Sequence, residues 1–183
     1  MFRKIKVDLK GVTDLLMHKA VPEEITKKGK KRNKKYVPEE EAKKSAYIAE
    51  IDGEDRLYIP RENIFSMIVY TAGGFKIGRR SAKSYAAGSI RIEPDKIPLT
   101  PNKYEIYEKL ARIGVAKVMT WRPRIRDWEA SFFLIYDDTI FTRPKLLEEI
   151  LVEAGKRVGL MDWRPQKGGW WGTFTVPGFK EID

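Results

Sequence analysis

From Phe2 to Leu9 the chain alternates, with Phe2, Ile5, Val7 and Leu9 set against Arg3, Lys6 and Asp8. Such alternation predicts a strand with one buried face. Lys10-Gly11 bends it, and Val12 to His18 continues as a more apolar segment. Period two returns at Tyr47–Ile59, where Ile48 and Ile51 lead into Asp52-Gly53 and Leu57, Tyr58 and Ile59 come back. Asp-Gly between apolar runs signals a hairpin closed by a type I′ turn. Val115–Trp121 and Trp128–Tyr136 read as a further strand pair, and Trp171–Val176 as a last half-buried strand. Two stretches carry helical spacing instead. Pro60 opens a helix from Arg61 to about Tyr70, with Ile64, Phe65, Ile68 and Val69 on its buried face and Gly73-Gly74 at its end. Thr142 is placed to cap a second helix, which Pro144 enters and Gly159 ends. Leu146, Leu147, Ile150, Leu151, Ala154 and Val158 line one face of it. Ile90-Arg91-Ile92 reads as a strand, whereas Asn102–Ala111 fits a strand or a short helix.

With insertions removed, the order is β-α-β-β-α-β. The expected fold is α+β: a ferredoxin-like (RRM-like) antiparallel sheet with two helices on one face. A single domain over residues 1–183 carries a basic arm inserted at about 19–46. In that arm Lys27, Lys28, Lys30, Lys31, Arg32, Lys34 and Lys35 fall within nine positions with no acid among them. A block of this kind reads as a mobile, solvated nucleic-acid arm.

Charge sharpens the expectation. There are 36 Lys and Arg against 26 Asp and Glu, a formal net charge of +10, which points to an acidic partner and favours nucleic acid. With no cysteine and a single histidine, neither a disulfide framework nor a zinc centre is expected. No cofactor or metal is expected. The adjacent Asp137-Asp138 reads as a turn, not a metal site. The G-x-x-x-x-G-K-[ST] spacing and the dinucleotide-binding fingerprint are both absent, which argues against a nucleotide-cofactor enzyme. No run of 18 apolar residues is present and no signal peptide is visible, so the expected setting is cytoplasmic, without membrane contact.

Three more basic stretches are candidate contacts. Lys76, Arg79, Arg80 and Lys83 sit among small polar residues, a mixture suited to phosphate. Arg122, Arg124 and Arg126 occupy the loop expected between the two strands of the pair. The densest stretch is Asp162–Gly172, with three glycines, three tryptophans and two cations. Here Trp163, Trp170 and Trp171 offer stacking faces, Arg164 and Lys167 suit phosphate, and Gly168, Gly169 and Gly172 leave room for a polymer. Alternation puts Trp170 on the face of Phe174 and Val176, and Trp171 on that of Thr173 and Thr175. A bulge at the glycines would exchange them, so one tryptophan is expected in the core and the other on the ligand, in an order left open.

Gly11-Val12-Thr13-Asp14-Leu15-Leu16, a G-x-T-x-L-L segment after the first strand, resembles the start of RAMP-superfamily proteins. Val158-Gly159 and the Gly-Gly-Trp-Trp-Gly-x-Phe-x-Val run resemble their C-terminal glycine-rich loop and strand. The superfamily includes RNA-binding backbone and processing subunits of CRISPR effector complexes. The resemblance covers both ends of the chain, and tryptophans stand where the family more often has small or basic residues. It implies binding to single-stranded RNA, often as a row of identical subunits along the strand, in company with other subunits of a complex. A virus-encoded or divergent relative fits equally.

The leading expectation is a non-catalytic binder of single-stranded nucleic acid, RNA over DNA, with weak sequence preference. One alternative is a metal-independent RAMP-type endoribonuclease using His18 with a lysine of the 27–35 block. Another is a phage structural or assembly protein whose charge serves packaging.

Overall fold

The computed structural model describes residues 1–20 and 36–182. The basic block at Lys27–Lys35 lies outside the described residues. Four helices are described: α1 (Pro38–Ser45), α2 (Arg61–Ala72), α3 (Ala82–Ser89) and α4 (Lys145–Glu153). Twelve strands accompany them: β1 (Phe2–Gly11), β2 (Leu15–Leu16), β3 (Ile48–Ile51), β4 (Glu54–Pro60), β5 (Lys76–Ile77), β6 (Arg80–Ser81), β7 (Ile90–Glu93), β8 (Lys96–Thr100), β9 (Glu105–Ile113), β10 (Ala116–Ile125), β11 (Glu129–Asp137) and β12 (Phe174–Ile182). The fold is α+β, and every described strand pairing is antiparallel. Among the described residues no helix is long and apolar enough to cross a membrane.

The main sheet runs β12-β1-β11-β8-β4-β3, and β7 also pairs with β11. Its strands obey the expected alternation. Ile5, Val7 and Leu9 of β1, Phe132, Leu134 and Tyr136 of β11, and Ile90 and Ile92 of β7 are all buried. They share one core with Ile64 and Ile68 of α2 and Leu147, Ile150 and Leu151 of α4. Lys6 and Phe133 are cross-strand partners of the opposite parity, on the face the core leaves open. The hairpin β3–β4 turns at Asp52 and Gly53, with φ of 54° and 82°, as the Asp-Gly signal predicts.

A second sheet, β2-β10-β9, departs from expectation. β10 and β11 do not pair with each other. β10 pairs with β9 and β2, while β11 lies between β1 and β7. Alternation shows that a segment is extended and is silent on its partner. The supposed joining loop is mostly strand, since Arg122 and Arg124 belong to β10. The turn is made at Asp127, with φ of 47°. The ambiguous Asn102–Ala111 stretch is strand β9 from Glu105.

Other differences have local causes. Pro38–Ser45, inside the tract read as an arm, is a helix with Glu39, Glu40 and Glu41 in its first turn and Lys43 and Lys44 in its last. That order of charges complements the helix dipole. The Lys76–Ser84 stretch is not a plain loop: a small hairpin is followed by α3, whose buried side is only Ala82, Ala86 and Ser89. Residues this small leave little apolar pattern to read. Thr142 does not cap α4; Pro144 occupies that position and Thr142 is exposed. The helix continues as a π-turn, Ala154–Val158, and Gly159 ends it with φ of 73° as expected. β12 begins at Phe174 instead of Trp171.

Trp128, just before β11, ties that strand to the end of β1, to the β1–β2 connection and to β12. It is fully buried, its indole N–H donates to the Thr13 carbonyl at 2.9 Å, and its carbonyl accepts from the Gly11 amide at 2.8 Å. Its ring meets Phe174 edge-on, 6.1 Å between centroids. Trp128→Ala removes a large core side chain and orphans a carbonyl. Chemical denaturation is expected to show a loss of about 3–5 kcal/mol.

Candidate nucleic-acid interface

The Leu160–Gly172 loop is pinned by backbone hydrogen bonds before any side chain is considered. Leu160 N–H donates to Gly172 O at 3.0 Å, Asp162 N–H to Leu16 O at 3.0 Å, and Gly172 N–H to Asp14 O at 2.9 Å. Within the loop, Trp171 N–H donates to Trp163 O at 3.2 Å. Trp171 is the buried tryptophan at 8% exposure, and Trp170 is 58% exposed. The straightforward alternation is therefore reversed. Trp171 lies in a turn with Gly172, whose φ is 70°, and Trp170 precedes that turn, so strand parity does not extend back to them.

Trp171 packs edge-on to Tyr107 of β9 at 5.3 Å, with the Arg124 guanidinium 5.5 Å from its centroid. Trp170 lies 5.1 Å from Trp163, and the Lys109 ammonium sits 4.0 Å over the Trp163 ring. Asp162 holds this cluster by charge, 3.8 Å from Lys109 and 3.7 Å from Arg122. Tyr107, Lys109 and Asp162 were not among the expected site residues. For the β9 pair the available signal was the alternation of Tyr107, Lys109 and Ala111, obscured because the segment also fitted a helix.

The glycines behave differently from expectation. A Cβ on Gly169 would fall 1.8 Å from the Trp163 carbonyl oxygen, so its missing side chain is used by the loop's own backbone and is not left for a polymer. Gly168, with φ of 77° and open space around it, is the one of the pair with room beside it.

The expected cations fall into two groups. Lys76, Arg79, Arg80, Lys83 and Lys167 are exposed and make no ion pair among the described residues. The arginines of β10 and the residue just beyond it instead have acidic partners: Arg124 with Asp14 at 2.6 Å, Arg126 with Glu105 at 3.0 Å and Arg122 with Asp162. Arg164 donates to Gln166 Oε1 at 2.9 Å and to the Met161 carbonyl at 2.8 Å, leaving part of its five-donor guanidinium for a ligand. Its partial burial lowers its pKa, against which the nearby Asp162 charge acts. Lys83, Arg164, Asp162 and His18 line one cavity, and Asp162 links that cavity to Lys109 and the tryptophans. Arg126 lies off this chain of contacts.

His18 lies against Arg122, with 3.2 Å between Nε2 and Nη2. Arginine can only donate, so His18 Nε2 is the accepting nitrogen and its lone pair is engaged. Among the described residues no group of three or more His, Cys, Asp or Glu side chains is placed to hold a metal ion.

No protein-family model matches the chain, and no curated protein matches it. Its fold is similar to that of a chain in a cryo-EM structure of a type III-B Cmr-beta bound to cognate target RNA. The TM-score is 0.57 with 12% identity, over all of this chain and 61% of that one.

Burial separates the two adjacent tryptophans by role. Trp171→Ala is expected to cost about 3–5 kcal/mol in chemical denaturation. Trp170→Ala is expected to change stability by less than about 0.5 kcal/mol, as exposed substitutions usually do.

Proposed function

We propose that this chain is a non-catalytic subunit that binds single-stranded RNA within a ribonucleoprotein complex, with a RAMP-type, ferredoxin-like core. The observation that carries the reading is the exposed Trp170, set against Trp163, whose ring carries Lys109, in a loop that also bears the exposed Lys167. Such a surface stacks bases of any identity while cations take the phosphates. Strand order supports the fold assignment. β12-β1-β11-β7 is an antiparallel 4-1-3-2 sheet once insertions are removed, with α2 and α4 as the two crossovers. The fold likeness to a chain of an RNA-bound Cmr-beta agrees with it. Leu110, Val115 and Met119, exposed on the β9–β10 hairpin, favour protein partners, including further copies along the strand. A binder is preferred to a ribonuclease because the lone pair that a general base would use on His18 is engaged by Arg122.

Two measurements test the reading. Trp170→Ala is expected to weaken single-stranded RNA binding by about 1–3 kcal/mol without unfolding the protein; unchanged affinity removes the stacking surface from the account. If about five phosphates are neutralised, log K against log[salt] falls with a slope of about −3.5. A flat salt dependence contradicts an electrostatic interface.

A further inference from the structure

A cavity of about 650 Å³ opens between α2 and the Gly159–Gln166 segment. Sites that enclose small ligands hold about 300–1,000 Å³, so one nucleoside fits with room for water. On the α2 side Asn63, Ser66 and Tyr70 line it, spaced i, i+3 and i+7 along one face of the helix. Gln166, Arg164 and Lys83 line it from elsewhere.

Three features distinguish it from a gap in packing. Among the described residues the Asn63 amide N–H finds only the Met161 thioether, at 2.9 Å, and thioether sulfur is a weak acceptor. Gln166 accepts from Arg164 through Oε1, and its NH₂ donates to no protein group among the described residues. Two side-chain amides whose N–H groups find little or no protein acceptor among the described residues thus line one cavity, beside two cations. Met161 and Trp163 hold left-handed backbone, φ 65° and 50°, on either side of Asp162. Strain of this kind in non-glycine residues persists where surroundings over-determine it, and clusters at ligand sites.

We infer that this cavity receives one splayed nucleobase of the bound strand. Asn63 and Gln166 read its edge, and Lys83 and Arg164 face the adjoining phosphates. The inference rests on the single-stranded RNA reading and adds a property to it: a base preference at one position of the footprint. Stacking on Trp170 supplies no such preference, because every base has a π-face.

The test uses the shortest RNA that binds with full affinity, carrying a single abasic nucleotide at each position in turn, and reads fluorescence anisotropy. One position outside the Trp170 contact is expected to lose about tenfold on base removal. Ser66→Trp, an exposed helix position whose new side chain fills the cavity, is expected to abolish that loss, and Asn63→Ala to reduce it. Thermal melting verifies that each variant folds, and Asn63→Ala carries the test if Ser66→Trp does not. A scan that is uniform, or unaltered in a folded variant, overturns the pocket while steep salt dependence leaves RNA binding standing. Failure of the wild type to bind RNA overturns both. A free nucleoside monophosphate that occupies the cavity while the scan stays flat assigns it to a mononucleotide and contradicts the strand assignment.

Discussion

Burial of Trp171 against Tyr107 and Arg124 is the constraint from which the candidate interface follows. It fastens the Leu160–Gly172 loop to the β9–β10 sheet, and the backbone bonds to Asp14 and Leu16 fasten the same loop to the end of the β1–β2 segment. With both ends fixed, the neighbouring Trp170 stays exposed and tilted against Trp163, 35° between ring planes, instead of collapsing into the core. A ring held in this way would lose less side-chain entropy if a base stacked on it.

Ion pairing divides the basic residues by what they contribute. Arg122, Arg124 and Arg126 have carboxylate partners and hold the second sheet to the loop, to the β1–β2 connection and to itself respectively. A phosphate would have to displace those partners, whereas among the described residues the side chains of Lys83 and Lys167 have no ion-pair partner to displace. Net charge therefore overstates the electrostatic footprint, and under the proposed reading the exposed cations without a described ion-pair partner would set the salt dependence. The open face of the main sheet is similarly occupied. Lys4 lies over Phe133 and pairs with Glu93, and Lys10 pairs with Glu129. That face offers fewer uncommitted groups than the tryptophan loop.

What could be read in advance followed the physics of each signal. The buried stripe of α4, the Asp-Gly turn and the alternation of β1 are local, and local pattern predicts them. Strand partnership is not local: β10 and β11 read as a pair because both alternate, yet loop geometry at Asp127 sends them to different sheets. α3 was hidden because alanines bury its inner face, and Gly169 was read as an opening when it is a contact, since a missing side chain looks the same in sequence whichever neighbour uses it. The cavity beside α2 was invisible for another reason. Asn63, Ser66 and Tyr70 form the polar side of an amphipathic helix, and only the packed loop opposite turns that side into a wall.

Mapping ultraviolet crosslinks between the intact protein and bound single-stranded RNA by mass spectrometry tests the central claim most directly. The account predicts adducts at Trp170 and Lys167, with Lys109 of β9 next, and none on the open sheet face. Adducts at Phe133 and Lys6, with Trp170 unmodified, would contradict it.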